Sequence, residues 1–278
     1  MAKANPAPHT YWLPNLLTAF NLFCGLLSIL LALETYASGV REAAEYALSA
    51  WLLLAAMVFD FIDGKVARWT NTVSEFGVKI DSLSDFISFG IGPAVLSYTA
   101  LLNAIPETGR AAACLAYLTA GGFRLARFNC ESSPLPAWPY FTGLPIPAAS
   151  ALMSTLTLVT AEPAYEGAPR FLGRTFSNLP PAVFGTGTAL LMVILAFLMV
   201  SRIPFPAFKH INRRNLLVLC GVILFFTVLS LIFPVGQVLL LVLCLYLFMG
   251  MYQYFLHRIL GLQTKPGQDR ITRSVTHS

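Results

Sequence analysis

The stretch Asp60-Phe61-Ile62-Asp63-Gly64-Lys65-Val66-Ala67-Arg68 is followed, after residues 69–76, by Gly77-Val78-Lys79-Ile80-Asp81-Ser82-Leu83-Ser84-Asp85. Four aspartates therefore lie close together in a chain that has only 13 acidic residues. The first two are spaced i, i+3 and the last two i, i+4, so each pair lies on one face of a helix. If the two helices pack together, the four carboxylates converge on one point. The small residues of the stretch then leave room beside them for a ligand.

Long apolar runs flank this stretch on both sides. The 278-residue chain is 56% hydrophobic and only 11% charged, whereas soluble domains carry roughly 25% charged residues. Because a membrane span needs about 20 mostly apolar residues, we predict an all-α, polytopic membrane helix bundle of about eight transmembrane helices. The predicted spans are 16–34, 44–62, 78–102, 111–129, 146–161, 181–200, 215–232 and 236–257. A short loop after the second span is expected to hold Lys65, Arg68 and Glu75.

The basic residues predict how the chain is oriented. With an even number of spans both termini lie on one side, and most of the 18 lysines and arginines fall on that side. Since short cytoplasmic loops carry an excess of basic residues, we predict an integral cytoplasmic-membrane protein with its termini and the aspartates facing the cytoplasm. This topology accounts for the net charge of +5. The sequence contains no soluble basic domain, so we expect no nucleic-acid partner.

Carboxylates grouped at the end of membrane helices indicate a metal site. Oxygen ligands without histidine or cysteine select hard cations such as Mg²⁺ or Mn²⁺. Two such ions suit phosphoryl chemistry, in which a partly free aspartate can serve as base. One alternative is that the aspartates are ordinary interfacial charges paired with Lys65, Arg68 and Lys79. Another is an ion-coupled transporter, although transport sites usually lie nearer the middle of the bilayer.

The pattern Asp60-x2-Asp63-Gly64-x2-Ala67-Arg68-x8-Gly77-x3-Asp81-x3-Asp85 resembles the signature of the CDP-alcohol phosphatidyltransferases. The resemblance implies that an alcohol displaces CMP from a CDP-activated lipid. It also implies a six-helix core, a homodimer and two divalent cations, Mg²⁺ or Mn²⁺. The metal ligands would be Asp60, Asp63, Asp81 and Asp85, with Asp85 also the catalytic base. The residues lining the CDP and diphosphate pocket would be Gly64, Ala67, Arg68 and Gly77.

Further segments are similar to the membrane-embedded phosphatidylserine synthases of bacteria and archaea. Pro14-Asn15-x2-Thr18-x2-Asn21-x3-Gly25 resembles their opening, whose residues, Asn15 and Thr18 among them, would abut the cytidine. The likeness implies CDP-diacylglycerol and L-serine as substrates, drawn from membrane lipid and cytoplasm respectively. The residues expected at the serine are Arg124, Arg127, Asn129 and Lys209. Arginine suits a carboxylate, but the pair can also bind lipid phosphates, or the phosphate of glycerol 3-phosphate or inositol phosphate.

These expectations divide the chain into three parts. Residues 1–200 form the catalytic membrane core, residues 201–257 add two transmembrane helices, and residues 258–278 form a polar, basic tail.

Overall fold

A computed structural model describes residues 12–39, 43–70, 74–130, 140–161, 176, 178–206, 229–230 and 233–260. Within these ranges the chain is a helix bundle with one short pair of strands, which confirms the predicted all-α membrane fold. The long helices are α1 (Trp12–Ala37), α2 (Ala43–Trp69), α5 (Glu107–Cys130), α6 (Ile146–Ala161), α7 (Pro181–Val200) and α8 (Val235–Leu260).

The third helical rod changes its winding along its length. Helix α3 (Glu75–Asp85) runs directly into a π-helical turn (Phe86–Ile91), a short helix α4 (Gly92–Leu96) and a second π-helical turn (Ser97–Leu101). In the first π-helical turn the amide of Gly92 donates to the carbonyl of Ile87, five residues earlier. We call these four segments the third rod.

The described helices and the third rod coincide with seven of the predicted spans. The remaining prediction, 215–232, falls almost entirely outside the described residues. The helices that are long and apolar enough to cross a membrane, by length and composition, lie within Trp12–Ala37, Ala43–Trp69, Pro181–Val200 and Val235–Tyr252.

The predicted loop around Lys65 and Arg68 is wrong, because α2 continues without a break to Trp69. Gly64 disfavours a helix by only about 1 kcal/mol, and Lys65, Ala67 and Arg68 after it are good helix formers. The ammonium group of Lys65 also lies 4.1 Å from the ring centroid of Phe61, one turn earlier. Glu75 lies in the first turn of α3, where Ser74 caps the helix by accepting from the amide of Gly77.

Buried hydrogen bonds fix how the helices pack. The hydroxyl groups of Ser28 on α1 and Ser49 on α2 each donate to the other's backbone carbonyl, at 2.8 and 3.2 Å. The phenol of Tyr117, which is fully buried on α5, donates to the carbonyl of Phe89 in the third rod at 3.1 Å. Helix α6 is buried along nearly its whole length and forms the centre of the bundle.

Two short strands, which the sequence did not predict, join the chain before α6 to the chain after α7. Strand β1 (Tyr140–Thr142) pairs antiparallel with β2 (Pro204–Pro206). Gly143 follows with a φ of 79°, and a Cβ there would lie 2.5 Å from the carbonyl oxygen of Met199. Only glycine combines this left-handed backbone with so close an approach.

Helix α8 packs on α6 and on β2. The ring of Phe205 in β2 is fully buried and its centroid lies 5.9 Å from that of Tyr246 on α8. The last helix therefore packs on the strand that follows α7. The predicted division of the chain at residue 200 stays a prediction.

Candidate active site

Three of the four aspartates, two on α2 and one on α3, bring their carboxylates together beside α1, which both helices contact. Asp60, Asp63 and Asp81 each place a carboxylate oxygen within 4.8 Å of those of the other two. Asp63 is almost fully buried, with 4% of its surface exposed. The i, i+3 spacing on α2 points both of its carboxylates toward α3, as helical geometry requires.

Asp85, one turn further along α3, lies beside this group of three. Its carboxyl group interacts directly with that of Asp60. It also accepts a hydrogen bond from the side-chain amide of Asn21, at 3.1 Å. The structure thus brings all four aspartates into one site.

Helix α1 supplies the hydrogen-bond donors to this site. The hydroxyl of Thr18 lies 2.9 Å from a carboxylate oxygen of Asp63, and the amide of Asn21 reaches Asp85. Thr18 and Asn21 are both buried and spaced i, i+3, so they lie on the face of α1 that packs on the aspartates. Each donor supports a different carboxylate.

The aspartates fit a divalent cation. Carboxylates this close together repel one another unless a positive charge lies among them. One oxygen of Asp81 is buried and has no hydrogen-bond partner among the described residues, so it is free to ligate. An all-oxygen donor set suits hard cations such as Mg²⁺ and Mn²⁺. Which of the four aspartates bind metal, and how many ions they hold, stay predictions.

The residues expected at the nucleotide lie on α1 and on the two helices that carry the aspartates. A Cβ at Gly64 would meet nothing closer than the guanidinium of Arg68, at 3.6 Å. Gly77 lies near the side-chain oxygen of Asn15, where α1 and α3 begin. Ala67 is half-buried on α2. Thr18 lies against Asp63 rather than open space, and the nucleotide-binding roles of all these residues stay predictions.

The two arginines expected at the serine have different surroundings. Arg127 donates to the backbone carbonyl of Val200 at 3.2 Å, which ties α5 to the end of α7. Arg124 lies within electrostatic range of Asp85 and of Tyr246, and its Nε is buried without a hydrogen-bond partner among the described residues. Arg124 is therefore the better placed of the two to receive a ligand.

The other two residues expected at the serine are Asn129 and Lys209. Asn129 is exposed and exchanges hydrogen bonds with the hydroxyl of Ser82, next to Asp81. It lines an open cavity of about 470 Å³ together with Ser74, Glu75, Val78 and Lys79. Lys209 lies outside the described residues.

The sequence motif near the cytidine includes Asn21 but does not predict its bond to Asp85, and sequence reasoning gave no role to Tyr246. Asn21 interrupts an apolar stretch of α1, and a buried polar residue in a membrane helix is itself a functional signal. Tyr246 carries no such signal, since α8 contains several aromatic residues and only packing places this one near Arg124.

Comparison with known proteins gives one consistent result. The family model described as CDP-alcohol phosphatidyltransferase matches residues 11–259. A CDP-diacylglycerol–serine O-phosphatidyltransferase of Helicobacter pylori is 35% identical over 230 residues, covering 82% of this chain and 84% of that protein. A protein of the same name from Bacillus subtilis is 33% identical over 205 residues, covering 74% and 96%. An archaetidylserine synthase of Methanothermobacter thermautotrophicus is 35% identical over 196 residues, covering 70% and 69%.

Proposed function

Because this chain belongs to the CDP-alcohol phosphatidyltransferase family, we propose that it is a CDP-diacylglycerol–serine O-phosphatidyltransferase. It transfers the phosphatidyl group from CDP-diacylglycerol to L-serine and releases CMP. The observation that carries the chemistry is the meeting of Asp60, Asp63 and Asp81 within 4.8 Å, with Asp85 beside them. The choice of serine follows the names of the Helicobacter pylori and Bacillus subtilis relatives, which match most of this chain.

The aspartates take different parts in the proposed reaction. Asp60, Asp63, Asp81 and Asp85 would hold two divalent cations, which supply positive charge to the diphosphate of the donor. Asp85 accepts the proton of the serine hydroxyl as the serine oxygen forms a bond to the phosphorus that bears diacylglycerol. The bond between that phosphorus and the bridging oxygen breaks, and CMP leaves with the oxygen. Gly64, Ala67, Arg68 and Gly77 bind the CDP moiety beside the aspartates.

Arg124 is proposed to bind the carboxylate of serine. A guanidinium recognises a carboxylate through parallel N–H donors. Its electrostatic interaction with Asp85 supports a pose in which the serine hydroxyl faces the base while the carboxylate faces the arginine. Arg127 holds the end of α7 in place by donating to the carbonyl of Val200.

The remaining parts of the proposal concern the whole protein. The site opens toward the cytoplasm, because the basic residues cluster on the side of the aspartates. The protein acts as a homodimer in the membrane, as the family resemblance implies. The acyl chains of the donor lie in lipid while serine arrives from water.

A direct assay tests this function. Purified protein is incubated with CDP-diacylglycerol and Mn²⁺ or Mg²⁺, and CMP release is measured with serine, glycerol 3-phosphate, inositol phosphate or no acceptor. We expect release that needs both serine and the metal. Release with another acceptor would keep the aspartate chemistry and reject serine. No release from folded protein with any acceptor would favour an ion-coupled transporter.

A further inference from the structure

We propose that Asn21 is a positioning residue that fixes the carboxylate of Asp85 for metal binding and proton transfer. This inference rests on the proposed function, and it assigns a task to a side chain of α1 outside the aspartate signature. The amide of Asn21 lies 3.1 Å from one oxygen of Asp85, and Asn21 is fully buried. Hydrogen bonds from a neutral donor to a carboxylate are strong when both groups are shielded from water.

The backbone of Asn21 is held as firmly as its side chain. Its carbonyl accepts a hydrogen bond from the hydroxyl of Ser88, at 3.1 Å. Ser88 follows Asp85 by three residues in the third rod. The side chain and the backbone of Asn21 are therefore hydrogen-bonded to residues one turn apart in that rod. Gly25 makes this possible, because a Cβ there would lie 2.3 Å from the Ser88 hydroxyl oxygen. The amide therefore reaches Asp85 from a rigid support.

The side-chain oxygen of Asn21 indicates that this residue does more than fill space in the core. The side-chain oxygen is buried and has no hydrogen-bond partner among the described residues. A buried oxygen without a donor is unfavourable, and an apolar side chain of the same size avoids that penalty. An asparagine is thus a poor choice for stability at this position and a suitable one for donating to Asp85.

The consequence concerns the freedom of one carboxylate. With one oxygen held by the amide, Asp85 cannot rotate freely among Asp60, Arg124 and solvent. Its other oxygen then keeps a fixed direction within the site. Thr18 does the same for Asp63, so α1 holds one carboxylate from each of the two helices that carry the aspartates.

The variant Asn21→Leu tests the proposal, because it keeps the size of the side chain and removes both polar atoms. Ser28→Ala is the matched control. Ser28 lies on the same face of α1, is fully buried, and bonds the backbone of Ser49 rather than an aspartate. Both variants are compared with the wild type by thermal unfolding, by Mn²⁺ titration followed with electron paramagnetic resonance, and by steady-state kinetics.

We expect Asn21→Leu to unfold at a temperature no lower than that of Ser28→Ala. We also expect it to bind Mn²⁺ at least about 10-fold more weakly than the wild type, because removing a residue that supports a metal ligand commonly weakens metal binding by this factor. Its kcat should fall to a similar degree with the KM for serine nearly unchanged. Ser28→Ala should keep the wild-type Mn²⁺ affinity and kcat.

Wild-type Mn²⁺ affinity and kcat in Asn21→Leu would overturn the proposal. If Leu does not fit, Asn21→Ala carries the same expectation with less bulk beside Asp85. Failure of the proposed function is recognised separately. Wild-type protein that binds Mn²⁺ but releases no CMP with serine rejects the acceptor assignment, while the Mn²⁺ titrations still decide the role of Asn21.

Discussion

The carboxylates of Asp85 and Asp63 differ in how far the surrounding residues expose them. Asp63 is almost fully buried beside the hydroxyl of Thr18, whereas Asp85 is half-buried and interacts electrostatically with Arg124. A group that takes a proton from an incoming alcohol must be reachable by that alcohol. Partial exposure therefore suits Asp85 for the base and burial suits Asp63 for a metal ligand.

This difference predicts how two asparagine variants behave. Asp85→Asn should lose at least about 100-fold in kcat, the usual contribution of a general base, while retaining much of its CDP-diacylglycerol binding. Asp63→Asn should lose donor binding as well, because its carboxylate belongs to the metal site. Kinetics and equilibrium binding of the donor would separate the two. The control is Glu75→Gln, because Glu75 is an exposed carboxylate of the same helix. Wild-type turnover in Asp85→Asn would exclude Asp85 as the base.

The arginines of α5 give a second contrast at this scale. Arg124→Ala should raise the KM for serine about 10-fold or more without changing the dependence on CDP-diacylglycerol, since it removes a charged contact to the acceptor. Arg127→Ala should instead lower thermal stability, because it removes the bond to the carbonyl of Val200. Measuring both parameters for both variants checks the assignment. A raised serine KM in Arg127→Ala alone would reverse it.

The sequence was enough to predict which aspartates belong together, because i, i+3 and i, i+4 spacing is set by helix geometry alone. It was not enough to predict the partners of Thr18 and Asn21. Those contacts depend on how α1 is rotated against α2 and the third rod, which follows from packing over the whole interface. A local pattern cannot contain that information.

At the scale of helices and strands, the close approach of α1 to the third rod depends on Gly25. A Cβ at this position would lie 2.3 Å from the hydroxyl oxygen of Ser88 and 2.8 Å from its Cα. Because backbone atoms cannot move aside as a side-chain tip can, Gly25→Ala should destabilise the protein by about 1–3 kcal/mol. It should also weaken Mn²⁺ binding, since α1 carries the donors to Asp63 and Asp85.

Gly121→Ala provides the control for this prediction. Gly121 also lies inside a long helix, but a Cβ there would meet nothing within 4 Å. The substitution should be neutral or stabilising by up to about 1 kcal/mol, because alanine favours a helix. Thermal unfolding of the two variants in detergent makes the comparison. Equal stability would show that α1 can shift without penalty.

Helix positions were largely predictable, whereas the shortest elements were not. Apolar runs of about 20 residues determine where membrane helices lie. The strands β1 and β2 are three residues long and β2 contains two prolines, so neither has the alternating pattern of a strand. They form because the segments that flank α6 and α7 meet, which only the assembled bundle brings about.

On the scale of the whole molecule, the orientation in the membrane can be tested on α5. Cys130 is exposed at the end of α5 that carries Arg127 and Asn129. In a variant that keeps only this cysteine, a membrane-impermeant maleimide should react in inverted vesicles and not in intact cells, if the site faces the cytoplasm. Mass spectrometry of the labelled protein gives the result.

A cysteine at the opposite end of the same helix serves as the control. Glu107→Cys in a chain without other cysteines places the thiol at an exposed position in the first turn of α5. Because residues 111–129 of α5 are a predicted membrane span, its two ends are expected on opposite sides of the apolar layer. Its labelling should be the reverse of that of Cys130. Labelling of Cys130 from outside intact cells would mean that the orientation is inverted.

The π-helical turn directly after Asp85 restricts the length of the chain more than its composition. If Phe86–Ile91 kept its length but wound as a regular α-helix, everything beyond it would rotate by about 100° relative to Asp81 and Asp85. Either the aspartates or the buried faces of Phe89, Ala94 and Leu96 would then point the wrong way. Related chains should therefore either keep this π-helical turn or lose it together with a single residue.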